Sequence, residues 1–401
     1  MKYVLVILDG AADRALKVLE NRSPLMVGAG EHLKALARRG RVGAVRCLPP
    51  DWKGDPEAAL VALFGYDPRE DFTGRGAFDA AALQVDLDHA DVAFRLHFVH
   101  TDGTTLLDPT TGRLGAETGR TLLRHVDDTL RIRNMQFYPA EGHRHVMVWR
   151  DGPDGIRCTS PHDAAGQPLR AHFPTGDRAE RLTSILWDTA EVLADHPINK
   201  RLRDAGKPTA DLLWPWAPGR SPNLTPFGWR HGIGGACIAG NSMVRGLARL
   251  SGLHVIDVPG ATGSLDTDYT MKARATLTAL ETYNFCLVHI ESPNAASLAG
   301  DWEAKVDAIR RIDERYFGTL LDRIGKLADF RIMVVVDHPT PVEDRRPALD
   351  WTPFMLTGNL FKPQSQGTLP FDERALDDVT HRCDEGRKLL DLLFEDANAL
   401  P

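Results

Sequence analysis

The feature that most constrains the fold is a series of short, largely apolar runs bounded by turn residues, at positions 3–8, 253–258, 285–290 and 332–336. Runs this short and rich in Val and Ile predict strands buried on both faces of a parallel sheet. Helical apolar spacing lies between them, as at positions 182–193 and 306–324. Alternating strands and helices predict an α/β fold with a doubly wound, mostly parallel sheet.

The length of 401 residues indicates two domains rather than one. Residues 94–175 suit a separate α+β piece, and positions 160–177 are rich in Pro and Gly, as hinges often are. We therefore expect an inserted cap domain at 95–175 and a larger domain made of 1–94 and 176–401. A second Pro- and Gly-rich stretch, 214–235, is either another hinge or a long surface loop.

Charge and cysteine content exclude several classes of function. A net charge of −7 without a basic run argues against nucleic-acid binding. The five cysteines are scattered and never form a CxxC pair, so neither a disulfide framework nor a zinc knuckle is indicated. The first apolar run is too short for a signal peptide or a membrane span. A cytoplasmic protein without a membrane partner is expected.

Polar residues end the predicted strands, where parallel sheets bind their ligands. They are Asp9, Asp257, Glu291 and the pair Asp337 and His338. Carboxylate and imidazole groups that converge from separate strand ends can hold a divalent cation. Alternatively, each of them caps the helix or turn that follows.

Two glycine-containing turns are candidates for anion binding through backbone N–H groups, TGRG around Arg75 and GATG at 260–263. The predicted cap also contributes basic and polar groups that could close over an acidic substrate: Arg95, Arg144, His145, His162 and Asp163. Structural ion pairs are the alternative for each. No GxSxG elbow, Walker loop or GxGxxG motif stands at a predicted strand-to-helix turn.

These motifs, in this order, resemble the archaeal-type cofactor-independent phosphoglycerate mutases of the alkaline phosphatase superfamily. The matching segments are LDGAAD at 8–13, FGYDP at 64–68, TGRG at 73–76, AFR at 93–95, RH at 144–145, PHD at 161–163, HPINK at 196–200, GACIAG at 235–240, GATG at 260–263, GD at 300–301 and DH at 337–338. The resemblance implies an alkaline-phosphatase-type sheet domain with two divalent metals and a serine nucleophile. It also implies a cap whose arginines hold a phosphoglycerate.

The resemblance carries over unevenly. Asp9, Asp337 and His338 match three ligands of one metal, whereas Pro56 stands where the nucleophilic serine is expected. None of the expected ligands of the second metal is present, because its aspartate and two histidines correspond to Asn294, Leu298 and Pro347. One divalent metal (Mn, Mg or Zn) or none is therefore expected.

Three functions follow as hypotheses. The first is a different reaction on a small anionic acid, phosphorylated or not, with Asp55, Lys53, Glu57 and His289 as acid-base candidates. The predicted substrate-binding residues are Arg75, Arg95, Arg144, His145, His162 and Lys272. The second hypothesis is a catalytically silent homologue that acts in binding or regulation. The third is a true phosphoglycerate mutase or phosphatase that uses Asp55 or water in place of serine.

Overall fold

The computed structural model describes residues 1–140, 142–361 and 369–395. It divides into two compact units, one formed by Met1–Phe72 with Leu224–Pro401 and the other by Thr73–Asn223. We call them the sheet unit and the inserted unit, since the second interrupts the first along the chain. Among the described residues, no helix combines the length and apolar character needed to cross a bilayer.

Thirteen strands are found among the described residues: β1 Lys2–Leu8, β2 Arg41–Val45, β3 Val92–Thr101, β4 Leu106–Asp108, β5 Met135–Pro139, β6 Arg144–Trp149, β7 Leu212–Gly219, β8 Gly235–Ile238, β9 His254–Val255, β10 Phe285–Ile290, β11 Phe330–Val335, β12 Thr352–Gly358 and β13 Arg382–Cys383. The α-helices of the same residues are α1 Pro24–Gly28, α2 Glu31–Arg39, α3 Ala58–Leu63, α4 Pro68–Asp71, α5 Arg75–Ala82, α6 Ala116–Leu130, α7 Ala179–Ala194, α8 Pro197–Asp204, α9 Phe227–His231, α10 Ser242–Leu250, α11 Tyr269–Thr282, α12 Ser292–Ala299, α13 Trp302–Arg311, α14 Gly318–Leu327, α15 Ala375–Asp378 and α16 Leu389–Phe394.

The sheet unit is built on an eight-stranded sheet in the order β13-β2-β12-β11-β1-β10-β8-β9. Strand β1 runs parallel to both β10 and β11, and β8 and β9 continue the parallel part. Strand β12 is antiparallel to β11 and β2. The predicted α/β fold with a mostly parallel sheet is thus confirmed. The run at 253–258 yields only the two-residue edge strand β9, whose His254 is exposed, because an edge position buries less of a strand.

The central strands are buried on both faces, as their sequences predict. Residues Val4–Leu8 of β1 are fully buried, and every residue of β10 is buried. The apolar spacing at 306–324 lies in α13 and α14, which are joined by a π-helical segment, Ile312–Phe317. Ile309, Ile312, Leu320 and Ile324 join the core beneath this sheet. Helical periodicity therefore reflects packing on the sheet.

The inserted unit contains an antiparallel sheet in the order β4-β3-β6-β5, with β7 also paired to β3. The unit extends beyond the predicted bounds 95–175 on both sides. It does so because β3 begins at Val92 and pairs with β7, which lies far along the chain at Leu212–Gly219. The stretch 214–235 thus contributes an edge strand, where its prolines are tolerated. The predicted hinge at 160–177 lies inside this unit.

Candidate metal centre and cationic cluster

The three predicted metal ligands lie together at the carboxyl ends of neighbouring strands. Asp9 directly follows β1, and Asp337 and His338 follow β11, whose Val335 is in register with Ile7. His338 Nε2 lies 3.5 Å from Asp9 Oδ1 and 3.5 Å from Asp337 Oδ2. One ligand atom from each residue can be chosen so that all three lie within 4.8 Å of one another. The parallel register therefore brings two carboxylates and one imidazole to a single point.

Hydrogen bonds to the surrounding turns orient two of these side chains. Asp337 Oδ1 accepts hydrogen bonds from the backbone N–H groups of Gly10 at 3.0 Å and of His338 at 2.9 Å. His338 Nδ1 lies 3.1 Å from the hydroxyl of Thr340. The turn-capping interpretation of Asp337 is therefore correct for one of its oxygens. Its second oxygen, Oδ2, and His338 Nε2 lie on the side of Asp9.

Gly10 is required by the turn that carries Asp9. Its φ is +61°, in the left-handed region that side chains disfavour. A Cβ placed there would come within 2.6 Å of Thr340 Oγ1 and 2.7 Å of Asn294 Oδ1. The glycine therefore lets the β1 turn approach both neighbouring segments.

The carboxylates around Asp9 repel one another. Burial raises the pKa of Asp9 well above its ordinary value, and the nearby Asp337, Glu291 and Glu57 raise it further, while a hydrogen bond from Asn294 opposes the shift. Within the described part of the chain, Asp9 Oδ1 has no hydrogen-bond partner. Such a carboxylate must hold a proton or lie against a cation. Two carboxylates and an imidazole suit a divalent ion such as Mn²⁺ or Zn²⁺, so the residues present fit the metal that the resemblance implies.

His289, predicted as an acid-base residue, lies beside the same carboxylate. Its Nε2 is 3.5 Å from Asp9 Oδ2. Burial lowers the pKa of His289 to about 3, and Lys272 and His338 contribute to the shift. The ring is therefore neutral at physiological pH, with a lone pair to offer. Asp9, His289 and Glu291 form a second group of potential ligand atoms within 4.8 Å of one another.

Lys272, predicted to bind substrate, is fully buried in α11. Its Nζ donates a hydrogen bond to the backbone oxygen of His289 at 3.1 Å. Burial lowers the pKa of Lys272 to about 8, and Glu291 opposes this shift. Lys272 therefore belongs to the sheet unit, where its hydrogen bond supports the backbone at the end of β10.

The remaining acid-base candidates precede α3. Lys53 is exposed, whereas Asp55 and Glu57 are half-buried. Asp55 Oδ1 accepts a hydrogen bond from the backbone N–H of Glu57 at 3.0 Å, and Glu57 is near enough to Asp9 to raise the pKa of that residue. Of these three residues, Glu57 is thus the one that the structure relates most directly to Asp9.

The inserted unit gathers basic side chains around Trp216. The guanidinium carbons of Arg95 and Arg75 lie 5.2 and 5.7 Å from the Trp216 ring centre. His97 packs edge-on against Trp216, and the ring centre of His162 lies 5.7 Å from that of His97. We call the set Arg75, Arg95, His97, Arg144 and His162 the cationic cluster. Arg95 is additionally held by an ion pair with Asp79.

Burial and the neighbouring guanidinium groups both lower the pKa values of the histidines in this cluster. Burial lowers the pKa of His97 well below its ordinary value, and His143, Arg95, His162 and Arg144 lower it further. Burial lowers the pKa of His162 too, with Arg75 and Arg95 as the next causes. Neither ring nitrogen of His97 has a hydrogen-bond partner among the described residues. An anion would satisfy such a site, since it would pair with the guanidinium groups.

Strand periodicity explains which predicted residues join the cluster. Arg95 and His97 lie two apart on β3 and so share a face, and Arg144 pairs with His97 across β6. His145 is one residue further and pairs with Leu96, so it points to the opposite face. There it packs against Phe98 with ring centres 5.2 Å apart, and burial lowers its pKa to about 3. His145 is therefore a core residue, and His97 is the member that the sequence reading missed although period two would have revealed it.

Comparison with known proteins gives this geometry a context. Residues 37–199 match the family model for 2,3-bisphosphoglycerate-independent phosphoglycerate mutase. A probable 2,3-bisphosphoglycerate-independent phosphoglycerate mutase of Geobacter sulfurreducens is 35% identical over 98% of this chain and 100% of its own length. The enzyme of that name from Methanothrix thermoacetophila is 34% identical over 98% of this chain and 100% of its own length.

Two solved structures share the fold. The PH0037 protein from Pyrococcus horikoshii superposes with a TM-score of 0.81 at 27% identity, covering 98% of this chain and 96% of the other. The cofactor-independent phosphoglycerate mutase from Thermoplasma acidophilum gives a TM-score of 0.62 at 28% identity, covering 98% and 99%. Full-length identity above 30% to named mutases assigns the family. The chain therefore belongs to the archaeal-type cofactor-independent phosphoglycerate mutase family.

Proposed function

We propose that the protein is a metal-dependent phosphoglycerate mutase or phosphatase that acts on a phosphoglycerate through the site around Asp9. The observation that carries this proposal is the convergence of Asp9, Asp337 and His338 within 4.8 Å at adjacent strand ends. Relatives named as phosphoglycerate mutases along the full chain favour this chemistry over the different reaction predicted from sequence.

Asp9, Asp337 and His338 would hold the divalent cation. Bound there, it would supply Lewis-acid stabilisation of negative charge on a phosphoryl group. All three side chains are nearly inaccessible to solvent, and this burial strengthens their interactions with charge. Asp337 and His338 are held in place by their bonds to Gly10 and Thr340, so little reorganisation is needed.

The inserted unit is proposed to bind a carboxylate or phosphate group of a small anion at its cationic cluster. Arginine suits this role because its planar guanidinium can make paired hydrogen bonds with either anion. The Asp79 carboxylate fixes the direction of Arg95. His162 and His97, neutral near pH 7 because burial lowers the pKa of each, can still donate one N–H to an anion.

The acceptor of the phosphoryl group distinguishes mutase from phosphatase. If Asp55 attacks phosphorus, the P–O bond of the ester breaks, the substrate's alkoxide oxygen leaves and takes a proton, and an aspartyl phosphate forms. Its return to the other hydroxyl gives the isomer. If water attacks instead, inorganic phosphate and glycerate are released. Asp55 Oδ1 caps the Glu57 backbone, so an Asp55 nucleophile must use Oδ2 or break that bond.

The proposal is tested by incubating the purified full-length chain with 3-phosphoglycerate and MnCl₂ and following the products by ³¹P NMR. We expect 2-phosphoglycerate or free phosphate, and Asp9→Asn should reduce the rate at least about 100-fold because a ligand is lost. Asp257→Asn is the matched control, since Asp257 is also a strand-end aspartate but is exposed and paired with Arg245. The absence of both products with Mn²⁺, Mg²⁺ and Zn²⁺, or full activity of Asp9→Asn, would refute the proposal.

A second candidate is a protein that binds the same anion without phosphoryl transfer. It is favoured by the residues at the positions where the resemblance expects the nucleophile and the second metal: Pro56, Asn294, Leu298 and Pro347. Loss of a nucleophile in a comparable covalent mechanism costs roughly 10⁶-fold in rate. Calorimetric binding of 3-phosphoglycerate without any product in the NMR assay would select this candidate.

A further inference from the structure

Asp9 lies between two sets of potential ligand atoms, of which only one contains Asp337 and His338. The other set is formed by His289, the fifth residue of β10, and Glu291, which follows that strand. Asp9 Oδ2 faces His289 Nε2 at 3.5 Å, whereas Asp9 Oδ1 faces His338 Nε2 at 3.5 Å. The two carboxylate oxygens of Asp9 thus point to different imidazoles.

His289 lacks the hydrogen bonds that its burial demands. The residue is 1% exposed, and within the described ranges neither Nδ1 nor Nε2 has a hydrogen-bond partner. Leaving buried polar groups without hydrogen bonds is unfavourable. A cation bound at Nε2, beside the Asp9 carboxylate, would remove part of this cost.

Glu291 is held where its carboxylate can complete that group. Its Oε1 accepts a hydrogen bond from the Asn241 side chain at 3.2 Å. Its Oε2 lies against Gly263, where an added Cβ would come within 2.2 Å of that oxygen. The glycine in the 260–263 turn therefore leaves room for the carboxylate that a side chain would displace.

The segment of α12 that the resemblance assigns to the second metal offers neither a carboxylate nor an imidazole. Asn294 contributes an amide beside Asp9, and Leu298 in α12 is 49% exposed. The nearby cation Lys272 donates to the backbone oxygen of His289. His289 and Glu291, on the strand end that precedes this turn, are the residues that could replace the missing ligands.

We propose that Asp9, His289 and Glu291 hold a second divalent cation, with Asp9 bridging to the first. Pairs of divalent cations about 3.5–4 Å apart occur in phosphoryl-transfer enzymes such as phosphatases and polymerases. The proposal rests on the proposed function, because the first cation belongs to that site. With this second site the protein would bind two metals, although Asn294, Leu298 and Pro347 stand where the resemblance expects the ligands of the second metal.

The test is the number of Mn²⁺ ions bound per metal-free full-length chain, measured by elemental analysis after dialysis and by EPR titration. We expect two equivalents for the natural chain and one each for Glu291→Gln and His289→Asn. Asp337→Asn should also keep one. Glu281→Gln, an exposed glutamate of α11, is the control and should retain two.

Each outcome decides the proposal. One equivalent in the natural chain, or two retained in both Glu291→Gln and His289→Asn, would overturn the second site while leaving the first. No bound Mn²⁺ in the natural chain would overturn the first cation as well. Because Gln is nearly isosteric with Glu, the Glu291 variant keeps the test decisive if the buried His289 variant fails to fold, which circular dichroism would reveal.

Discussion

At the scale of single residues, the buried ammonium group of Lys305 in the sheet unit is compensated by a buried carboxylate. Lys305 is fully buried, and its Nζ donates to Asp13 Oδ2 at 2.8 Å, to the backbone oxygen of Ala12 at 3.1 Å and to that of Thr340 at 2.9 Å. Asp13 also accepts the backbone N–H of Val342. This pair therefore ties the β1 turn to the segment after His338, which positions the proposed ligands.

Lys305→Met should destabilise the protein by about 3–5 kcal/mol, because it leaves the buried Asp13 carboxylate without its compensating cation. Urea unfolding measures the change. Arg311→Met is the control, since Arg311 forms an exposed pair with Asp307 on the same helix and should change stability by under about 1 kcal/mol. A Lys305→Met effect no larger than that of the control would contradict this account.

At the scale of elements, β3 shows how one strand serves two purposes. Its odd positions 95 and 97 face the cationic cluster, whereas Leu96 and Phe98 belong to the hydrophobic core of the inserted unit. The antiparallel partner β6 repeats the pattern with Arg144 and His145. Strand alternation therefore separates the cationic cluster from a hydrophobic core on the other face of the same strand.

Arg144→Ala should weaken binding of 3-phosphoglycerate about tenfold or more, since a charge-assisted hydrogen bond contributes about 1.5–3 kcal/mol. The side chain is exposed, so the variant should fold normally. Isothermal titration calorimetry measures the affinity, with Arg124→Ala on the exposed face of α6 as the control. Equal affinity in the two variants would remove Arg144 from the proposed site.

At the scale of the whole molecule, stability should depend on the protonation of one half-buried carboxyl, that of Glu373. Burial raises the pKa of Glu373 to about 7, against smaller opposing effects of hydrogen bonds from Ser23 and from the Asp13 backbone. The folded chain thus keeps a proton that the unfolded chain releases near pH 4.5. The stabilisation from this group is fully present below pH 4.5 and is lost as the pH rises through 7.

As the pH rises from 4.5 to 7.5, the free energy of unfolding of Glu373→Gln should therefore increase relative to that of the natural chain, by about 3 kcal/mol. Urea unfolding of both proteins at several pH values gives the difference directly, and comparing the two removes the contributions of other groups. Glu303→Gln, an exposed glutamate of α13, should show no such trend. A constant difference between Glu373→Gln and the natural chain across this range would refute the role of Glu373.

The sequence by itself determined the α/β class, the central strands and the candidate metal ligands Asp9, Asp337 and His338 at the strand ends. It could do so because buried parallel strands need continuous apolar runs and because their carboxyl ends share one edge of the sheet. The pairing of β3 with β7 was decided only by the tertiary structure, and so was the extent of the inserted unit. The tertiary structure also decided on which face of the sheet His97 and His145 lie, and it decided that Lys272 is buried at the end of β10. These features depend on contacts between residues far apart in the chain, which local patterns of hydrophobicity do not encode.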